Sequence, residues 1–439
     1  MSALEIPWLP EVVRGQKRGL ARGLYSICSA NPFVLEASML QAKADGSAVC
    51  IESTSNQVNP EGGYTGQTPA DFVAFVRGIA RDALFPFERV LLGGDHLGPF
   101  PWQDRAAAVA MDKAKTTVRD YVEAGYAKIH LDASMRCGDD PPGALSDAVV
   151  TERAADLCAV AEAAASRRPP GLPLPLYVIG TEVPVPGGEQ EAVAELAATR
   201  VEDAERTLAL TRAAFARRGL DAAWGRVAGL VVQPGVEFGD TTVFDYDRTR
   251  TVALKRFIEG VTGVVFEAHS TDYQTESALR ALVEDHFAIL KVGPALTFAF
   301  REAVFALADI ERDWLGQRKG VVVSDVRKVL ETVMLEKPGH WQRYYHGDAD
   351  ALRVARSFSL SDRIRYYWTQ PPVAAALSRL LANLSEHPAP SSLVGQYVPE
   401  RYGVLARSAV VTDPRGIIRS KILEVTETYA RACGTKPAA

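Results

Sequence analysis

Two short segments of the sequence place an imidazole and a carboxylate two residues apart. His130 and Asp132 form one such pair, and Glu267 and His269 form the other. In an extended strand, residues i and i+2 lie on the same face, so each pair presents both groups to one side. Imidazole with carboxylate is a normal ligand set for Zn2+, Mn2+ or a similar divalent ion. The spacing indicates metal-dependent or acid–base chemistry at two strand ends.

Other apolar runs also end in ionisable residues. These run ends carry Glu52, Asp95, His96, Glu182 and Lys291. Carboxylates are costly to bury unless they are paired or bound to metal, so a purely structural protein would need few of them. We predict His96, Glu182 and His269 as ligands of a divalent metal (Zn, Mn or Mg), with Asp132 as a fourth candidate.

Several of these residues have a structural alternative. For His130 we favour hydrogen bonding to its neighbours over metal binding. Glu52 could form a structural ion pair with Lys291, and Asp95 could cap the loop after its strand. Glu267 could orient His269 instead of acting as an acid or base.

The elements that position these residues follow a repeating pattern. Eight short, β-rich apolar runs alternate with longer helical segments between Gly23 and Leu315. Near-continuous apolar strands that alternate with helices indicate a parallel sheet covered by helices. Eight such units predict an α/β fold of the (β/α)8 TIM barrel class, in which the chemistry lies at the C-terminal strand ends. The first turn, residues 29–32, has no GxGxxG pattern, which argues against a dinucleotide site.

The strand signal ends near Gly320, and helical patterns follow at residues 321–334, 349–357, 373–384 and 415–432. We therefore predict three parts. Residues 1–22 form a helical cap of the barrel, residues 23–318 form the barrel, and residues 319–439 form an α-helical C-terminal extension.

Composition excludes several function classes. The 439 residues carry a formal net charge of −5, with no basic cluster, which argues against a nucleic-acid binder. No apolar run is long enough for a membrane span, and no signal peptide pattern is present. Five separated cysteines without a CxxC pair fit a reducing compartment, so we expect a cytoplasmic protein.

Many segments together resemble one family. They are residues 29–32, 52–58, 62–66, 93–99, 129–132, 180–188, 233–238, 267–274, 290–297, 345–348 and 361–368. From about Val12 to Ala432 the chain closely resembles the Z-type subunit of class II D-tagatose-1,6-bisphosphate aldolase, found in galactitol and N-acetylgalactosamine catabolism.

This resemblance implies first an accessory role. Members of the family are described as non-catalytic partners that support the activity and stability of the catalytic Y-type subunit, so we expect that partner and an oligomeric assembly. An older description calls them tagatose-6-phosphate kinases. The chain has no GxxxxGK[ST] loop, so we expect neither kinase activity nor a nucleotide cofactor.

The resemblance also implies an enzymatic alternative. Some relatives are described as metal-dependent 4-epimerases that interconvert fructose 6-phosphate and tagatose 6-phosphate by retro-aldol chemistry. In that reading Asp95 or Glu267 exchanges the proton, and Lys291 steadies the developing charge, with Glu52 beside it.

For a small sugar-phosphate ligand we predict contacts from polar residues of the strand-end loops and from the extension. These are Asn56, Gln57, Gln233, Ser270, Asp272 and Arg365. An extension arginine such as Arg365 could clamp phosphate. Loop glycines at 187, 188 and 293 could cradle an anion with their backbone amides.

Overall fold

Eight parallel strands close into a barrel in a computed structural model that describes residues 8–183, 196–399 and 413–435. The strands in chain order are β1 Leu24–Cys28, β2 Val49–Thr54, β3 Val90–Leu97, β4 Lys128–Leu131, β5 Leu176–Ile179, β6 Val227–Val231, β7 Glu237–Phe238, β8 Val243–Phe244, β9 Val265–Ala268 and β10 Phe287–Val292. Around the barrel the order is β1-β10-β9-β6-β5-β4-β3-β2, while β7 and β8 form a separate antiparallel pair. The predicted TIM barrel is confirmed.

Helices that follow the strands cover the outside of the barrel, and one further helix precedes the first strand. In chain order they are α1 Trp8–Gln16, α2 Pro32–Asp45, α3 Pro69–Asp82, α4 Ala107–Ala124, α5 Asp147–Ala165, α6 Val201–Arg217, α7 Asp221–Trp224, α8 Val252–Glu259, α9 Glu276–Glu284 and α10 Pro294–Leu315. Side chains fix where several begin. Thr68 and Asp71 form a reciprocal capping box on α3, and the Asn31 side chain accepts from the first amides of α2.

The bottom of the barrel is covered by α1, whose Leu9 and Val13 share an apolar cluster with Leu24 and Leu91 at the starts of barrel strands. The boundary of the cap at residue 22 stays a prediction. The Gln16 side chain donates to the backbone oxygen of Val283 at 3.0 Å. His286 Nδ1 lies 2.7 Å from the Gln16 side-chain oxygen. These contacts tie the end of α1 to the barrel, so this histidine has a structural role away from the strand ends.

Five further helices lie in the described part of the extension. They are α11 Val326–Glu336, α12 Ala349–Phe358, α13 Pro371–Glu386, α14 Ser391–Tyr397 and α15 Pro414–Ala432. The first begins later than the predicted residue 321, because Asp325 adopts a left-handed conformation with φ 51°. None of the described helices is both long and apolar enough to cross a membrane.

The last helix belongs to the outer layer of the barrel. It packs against α2, α9 and α10, and its Ile417, Ile418 and Ile422 are buried. The Tyr429 hydroxyl donates to the backbone oxygen of Thr271, just after β9, at 2.7 Å. The barrel thus depends on residues beyond 318 for part of its cover, although the proposed boundary at 318/319 remains a prediction.

We predict that Ile422→Ala destabilises the whole barrel. Truncating a fully buried isoleucine in a barrel layer costs about 2–5 kcal/mol of unfolding free energy. The matched control is Glu424→Ala, an exposed position on the same helix, for which a change within about 0.5 kcal/mol is expected. Urea unfolding followed by circular dichroism measures both. Equal midpoints for the two variants would show that α15 is only loosely attached.

Candidate functional site

A cavity of about 100 Å³ opens at the C-terminal ends of the strands. The residues that line it come from the C-terminal ends of β1, β2, β3 and β10, from the segments after β2, β9 and β10, from β7 and from the extension. They are Cys28, Thr54, Asn56, Gln57, Tyr64, Asp95, His96, Phe238, His269, Ser270, Asp272, Lys291, Val292, Gly293, Pro294, Arg365 and Tyr366. This is the end of the barrel at which the sequence places the chemistry.

Beneath the cavity, two lysines hold three carboxylates inside the barrel. Lys128 Nζ lies 2.7 Å from Glu52 Oε1 and 2.7 Å from Glu267 Oε2. Lys291 Nζ lies 2.8 Å from Asp95 Oδ1 and also pairs with Glu52 Oε2. Gly93 makes room for this network, because a Cβ at that position would come within 2.6 Å of Glu52 Cγ.

The network is charged and carries an excess of negative charge. Although burial favours the neutral acids, Lys128 and Lys291 hold the pKa values of Glu52 and Glu267 below their usual range. Burial also disfavours the charged ammonium of Lys291, but Asp95 and the other carboxylates raise its pKa well above the ordinary value. Three carboxylates face two ammonium groups, which leaves one negative charge unmatched.

Three imidazoles form a triangle above this network. The ring centroid of His96 lies 5.1 Å from that of His130 and 4.9 Å from that of His269. The centroids of His130 and His269 are 5.3 Å apart. Burial lowers the pKa of His269 to about 4, so its ring is neutral near pH 7. Its Nε2 lies 2.9 Å from Glu267 Oε1.

A bulge brings the adjacent residues Asp95 and His96 into the same site. Neighbouring residues of a regular strand point to opposite faces, but the pairing of β3 with β4 shifts register between Gly94 and Leu97. His96 takes a left-handed φ of 47°, and its backbone oxygen accepts a hydrogen bond of 2.7 Å from the Ser55 hydroxyl. Strained backbone of this kind persists where surrounding contacts hold it, and here both side chains line the cavity.

His96 and Asp132 form a buried dyad. His96 Nδ1 lies 2.7 Å from Asp132 Oδ2, while Asp132 Oδ1 accepts from the Ser134 amide and hydroxyl. Burial disfavours the imidazolium, yet Asp95 and Asp132 raise the pKa of His96 above its ordinary value. The dyad fixes the ring so that Nδ1 donates to Asp132, which leaves Nε2, 3.8 Å from Asp95 Oδ2, as the other ring nitrogen of this cavity-lining residue.

His130 carries a buried nitrogen without a protein partner. Its Nδ1 lies 3.0 Å from Asp95 Oδ1 and 3.2 Å from the backbone nitrogen of His96. One nitrogen can donate to the first or accept from the second, but not both. In either tautomer Nε2 has no hydrogen-bond partner among the described residues, and such a group is costly to bury.

Four of these residues fit a divalent cation. One donor atom each from Asp95, His130, Glu267 and His269 lies within 4.8 Å of the others. Two imidazoles and two carboxylates suit Zn2+ or Mn2+. A cation there would balance the unmatched negative charge. A second group, with Cys28, Glu52 and Asp95, fits less well, because burial raises the pKa of the thiol well above its usual range.

The predicted metal ligands are therefore only partly brought together. His269 belongs to the four-residue group, and His96 borders it with Asp132 bound to its far nitrogen. Glu182 is exposed and accepts a 2.6 Å hydrogen bond from the Thr199 hydroxyl, so it is not part of the group. His130, for which we favour hydrogen bonding, makes such contacts and also belongs to the four-residue group.

The predicted catalytic residues Glu52, Asp95, Glu267 and Lys291 do cluster, although Glu52 and Glu267 lie below the cavity floor. Lys128 was missed. It starts a strand and looks like a surface residue in the sequence, yet its side chain is fully buried. Its strand register could have revealed it: Lys128 pairs with Gly93 of β3, and Gly93 pairs with Glu52 of β2.

Five of the six predicted ligand-binding residues line the cavity. They are Asn56, Gln57, Ser270, Asp272 and Arg365. Gln233 instead caps its own loop, with its side-chain oxygen accepting from the amides of Gly235 and Val236. The predicted anion-binding glycines 187 and 188 lie outside the described residues, whereas Gly293 lines the cavity.

The extension delivers Arg365 to the cavity through a buried ion pair. Arg301 of α10 donates to Asp362 at 2.7 Å, and Asp362 takes a left-handed φ of 44°. Asp362 thereby begins the short 3-10 turn Arg363–Tyr367. Arg365 Nη2 donates to the Tyr366 hydroxyl at 2.9 Å, and Nη1 donates to the backbone oxygen of Asp362 at 3.1 Å.

Comparisons with known proteins agree with this architecture. Residues 9–434 match the family described as D-tagatose-1,6-bisphosphate aldolase subunit GatZ/KbaZ-like. A crystal structure described as a probable tagatose 6 phosphate kinase from Sinorhizobium meliloti 1021 is 46% identical, with a TM-score of 0.85, covering 94% of this chain and 100% of that chain.

Two aldolase structures show a looser similarity. The YdjI aldolase from Escherichia coli K12 is 12% identical, with a TM-score of 0.40, covering 87% of this chain and 95% of that one. The fructose-bisphosphate aldolase from Campylobacter jejuni is 12% identical, with a TM-score of 0.44, covering 87% of this chain and 93% of that one. From the match over residues 9–434, the chain belongs to the GatZ/KbaZ-like family of D-tagatose-1,6-bisphosphate aldolase subunits.

Proposed function

We propose that the chain is a divalent-metal-dependent 4-epimerase of ketohexose phosphates that works by retro-aldol cleavage. The observation that carries this proposal is the four-residue ligand group with one unmatched negative charge, set directly against the cavity and the His96–Asp132 dyad. The family's relation to tagatose-bisphosphate aldolase supports the C3–C4 bond, which an aldolase cleaves, as the bond that reacts.

Asp95, His130, Glu267 and His269 would hold the cation. Bound there, a divalent metal supplies Lewis acidity toward the C2 carbonyl and C3 hydroxyl oxygens of a 2-ketose. The ionised state of Asp95 and Glu267 and the neutral ring of His269 already match what such ligands require.

His96 is the proton acceptor in this proposal. It faces the cavity, Asp132 fixes its ring, and the carboxylates around it raise its pKa above the ordinary value despite burial. Glu267 is unsuited because it does not reach the cavity, and Asp95 is engaged by Lys291. These contacts favour His96 over the acids that the sequence suggests.

The reaction then conserves all atoms. His96 removes the proton of the C4 hydroxyl, and the C4–O electrons form an aldehyde on the C4–C6 fragment. The electron pair of the broken C3–C4 bond remains on the C1–C3 fragment. The aldehyde turns its other face toward C3, the bond forms again, and His96 returns the proton to the C4 oxygen. The sugar is recovered with C4 inverted.

Lys291 serves as a fixed positive charge beside the developing anion. It lines the cavity and faces Glu52, Asp95 and Glu267. These carboxylates raise the pKa of Lys291 although burial opposes its charge, so the amine is protonated and a Schiff base at this lysine is disfavoured.

We predict that His130→Ala and His269→Ala weaken Mn2+ and Zn2+ binding by at least about 10- to 100-fold, the loss known even for partners that only orient metal ligands. Equilibrium dialysis with metal analysis measures this. The matched control is His346→Ala, an exposed histidine outside the cavity, which should bind like wild type. Unchanged metal affinity in both site variants, with the fold retained, would show that the metal is not bound by this group.

We predict a different result for His96→Gln. Loss of a general base costs about 10²- to 10⁴-fold in rate, so conversion of fructose 6-phosphate to tagatose 6-phosphate should fall by that factor. Metal content should stay close to wild type, because His96 is not one of the four ligands. Loss of metal together with activity would make His96 a ligand instead.

A second candidate function is support of a catalytic aldolase chain. The family description as an aldolase subunit favours it. Since the site residues are internal to the barrel, we expect His96→Gln and His130→Ala to raise the activity of a Y-type aldolase chain as much as wild type does. Coupled aldolase assays with purified subunits measure this. Equal loss of support in both variants would tie the partner role to the site itself.

A further inference from the structure

The N-terminus of α10 is occupied by a carboxylate of the same chain. Asp272 Oδ1 accepts from the backbone amide of Gly293 at 3.0 Å and from that of Ala295 at 2.8 Å. In TIM barrels the loops after the last two strands and a nearby helix N-terminus commonly bind phosphate, because free amides and the helix dipole favour an anion. Here those amides are already used.

Asp272 lines the cavity, and its second oxygen takes no part in the bonds to the α10 amides. Asp272 is 2% exposed and lines the cavity, and within the described part of the chain no hydrogen bond to Oδ2 is formed by another residue. A carboxylate oxygen accepts well from a sugar hydroxyl and repels a phosphate dianion. This end of the cavity therefore suits a hydroxyl.

The cationic residues of the lining allow for one phosphate. The cavity is lined by Lys291 and Arg365. Lys291 faces three carboxylates, whereas no described carboxylate lies within 4.0 Å of the Arg365 guanidinium. A bisphosphate would bring two dianions to a lining in which, among the described residues, Arg365 is the cation without a carboxylate within 4.0 Å.

We propose that Asp272 is a specificity-determining residue that admits ketohexoses with a single phosphate and rejects 1,6-bisphosphates, with the phosphate bound by Arg365 and a terminal hydroxyl bound by Asp272. This inference rests on the proposed function for its substrate class. It adds a repulsive element to the site, which is a common way to separate two similar ligands.

Calorimetric titration of the full chain with fructose 6-phosphate and with fructose 1,6-bisphosphate, without added metal, tests this directly. Wild type should prefer the monophosphate. Asp272→Ala frees two amides and removes the charge, so the ratio of affinities should shift toward the bisphosphate by about 10- to 100-fold, as expected for charged hydrogen bonds. Asp272→Asn keeps an acceptor for the amides and should shift the ratio in the same direction by less.

Asp139→Ala is the matched control, because Asp139 also accepts from a helix-start amide, that of Ala107, but is exposed and outside the cavity. It should keep the wild-type ratio. The same ratio in wild type, Asp272→Ala and Asp272→Asn would overturn the inference. If no sugar phosphate binds any of the proteins, the proposed function fails. Titration with inorganic phosphate then tests the role of Asp272. The Asp272→Ala protein must bind phosphate more tightly than the wild-type and Asp139→Ala proteins do.

Discussion

The pairing of Lys128 and Lys291 with three carboxylates in the barrel interior is the constraint on which the site depends. Unpaired, each carboxylate would be too costly to bury, and each lysine would lose its charge. Together they remain ionised because every ammonium lies between two or more acids. The balance is incomplete by one negative charge, in the same buried group as His130, whose Nε2 has no hydrogen-bond partner among the described residues.

The surrounding fold serves this arrangement in layers. Gly93 leaves space for Glu52, and the bulge of β3 brings Asp95 and His96 to one side. Outside the barrel, α15 packs on α2, α9 and α10 and fixes the loop after β9 through Tyr429. The extension thus supplies part of the barrel's cover as well as the Arg365 side chain, so barrel and extension are joined both structurally and at the cavity.

The periodic apolar runs were sufficient to predict the barrel, its helices and the end at which polar residues gather. They could not predict which of these residues meet. Glu182 follows a strand like the others, yet its loop turns it toward Thr199 and solvent. Lys128 and His130 come from one short strand, and their burial depends on contacts with β2, β3 and β9 that lie far away in sequence. The β3 bulge includes a left-handed backbone conformation at His96, which the residue pattern does not predict.

The measurement that tests the central claim most directly is anomalous diffraction from crystals of the full chain soaked in Mn2+ or Zn2+. We expect one strong peak about 2.0–2.3 Å from donor atoms of Asp95, His130, Glu267 and His269, with His96 still bound to Asp132. A peak held by Glu182, or an ordered site with no peak among the four residues at saturating metal, would contradict it.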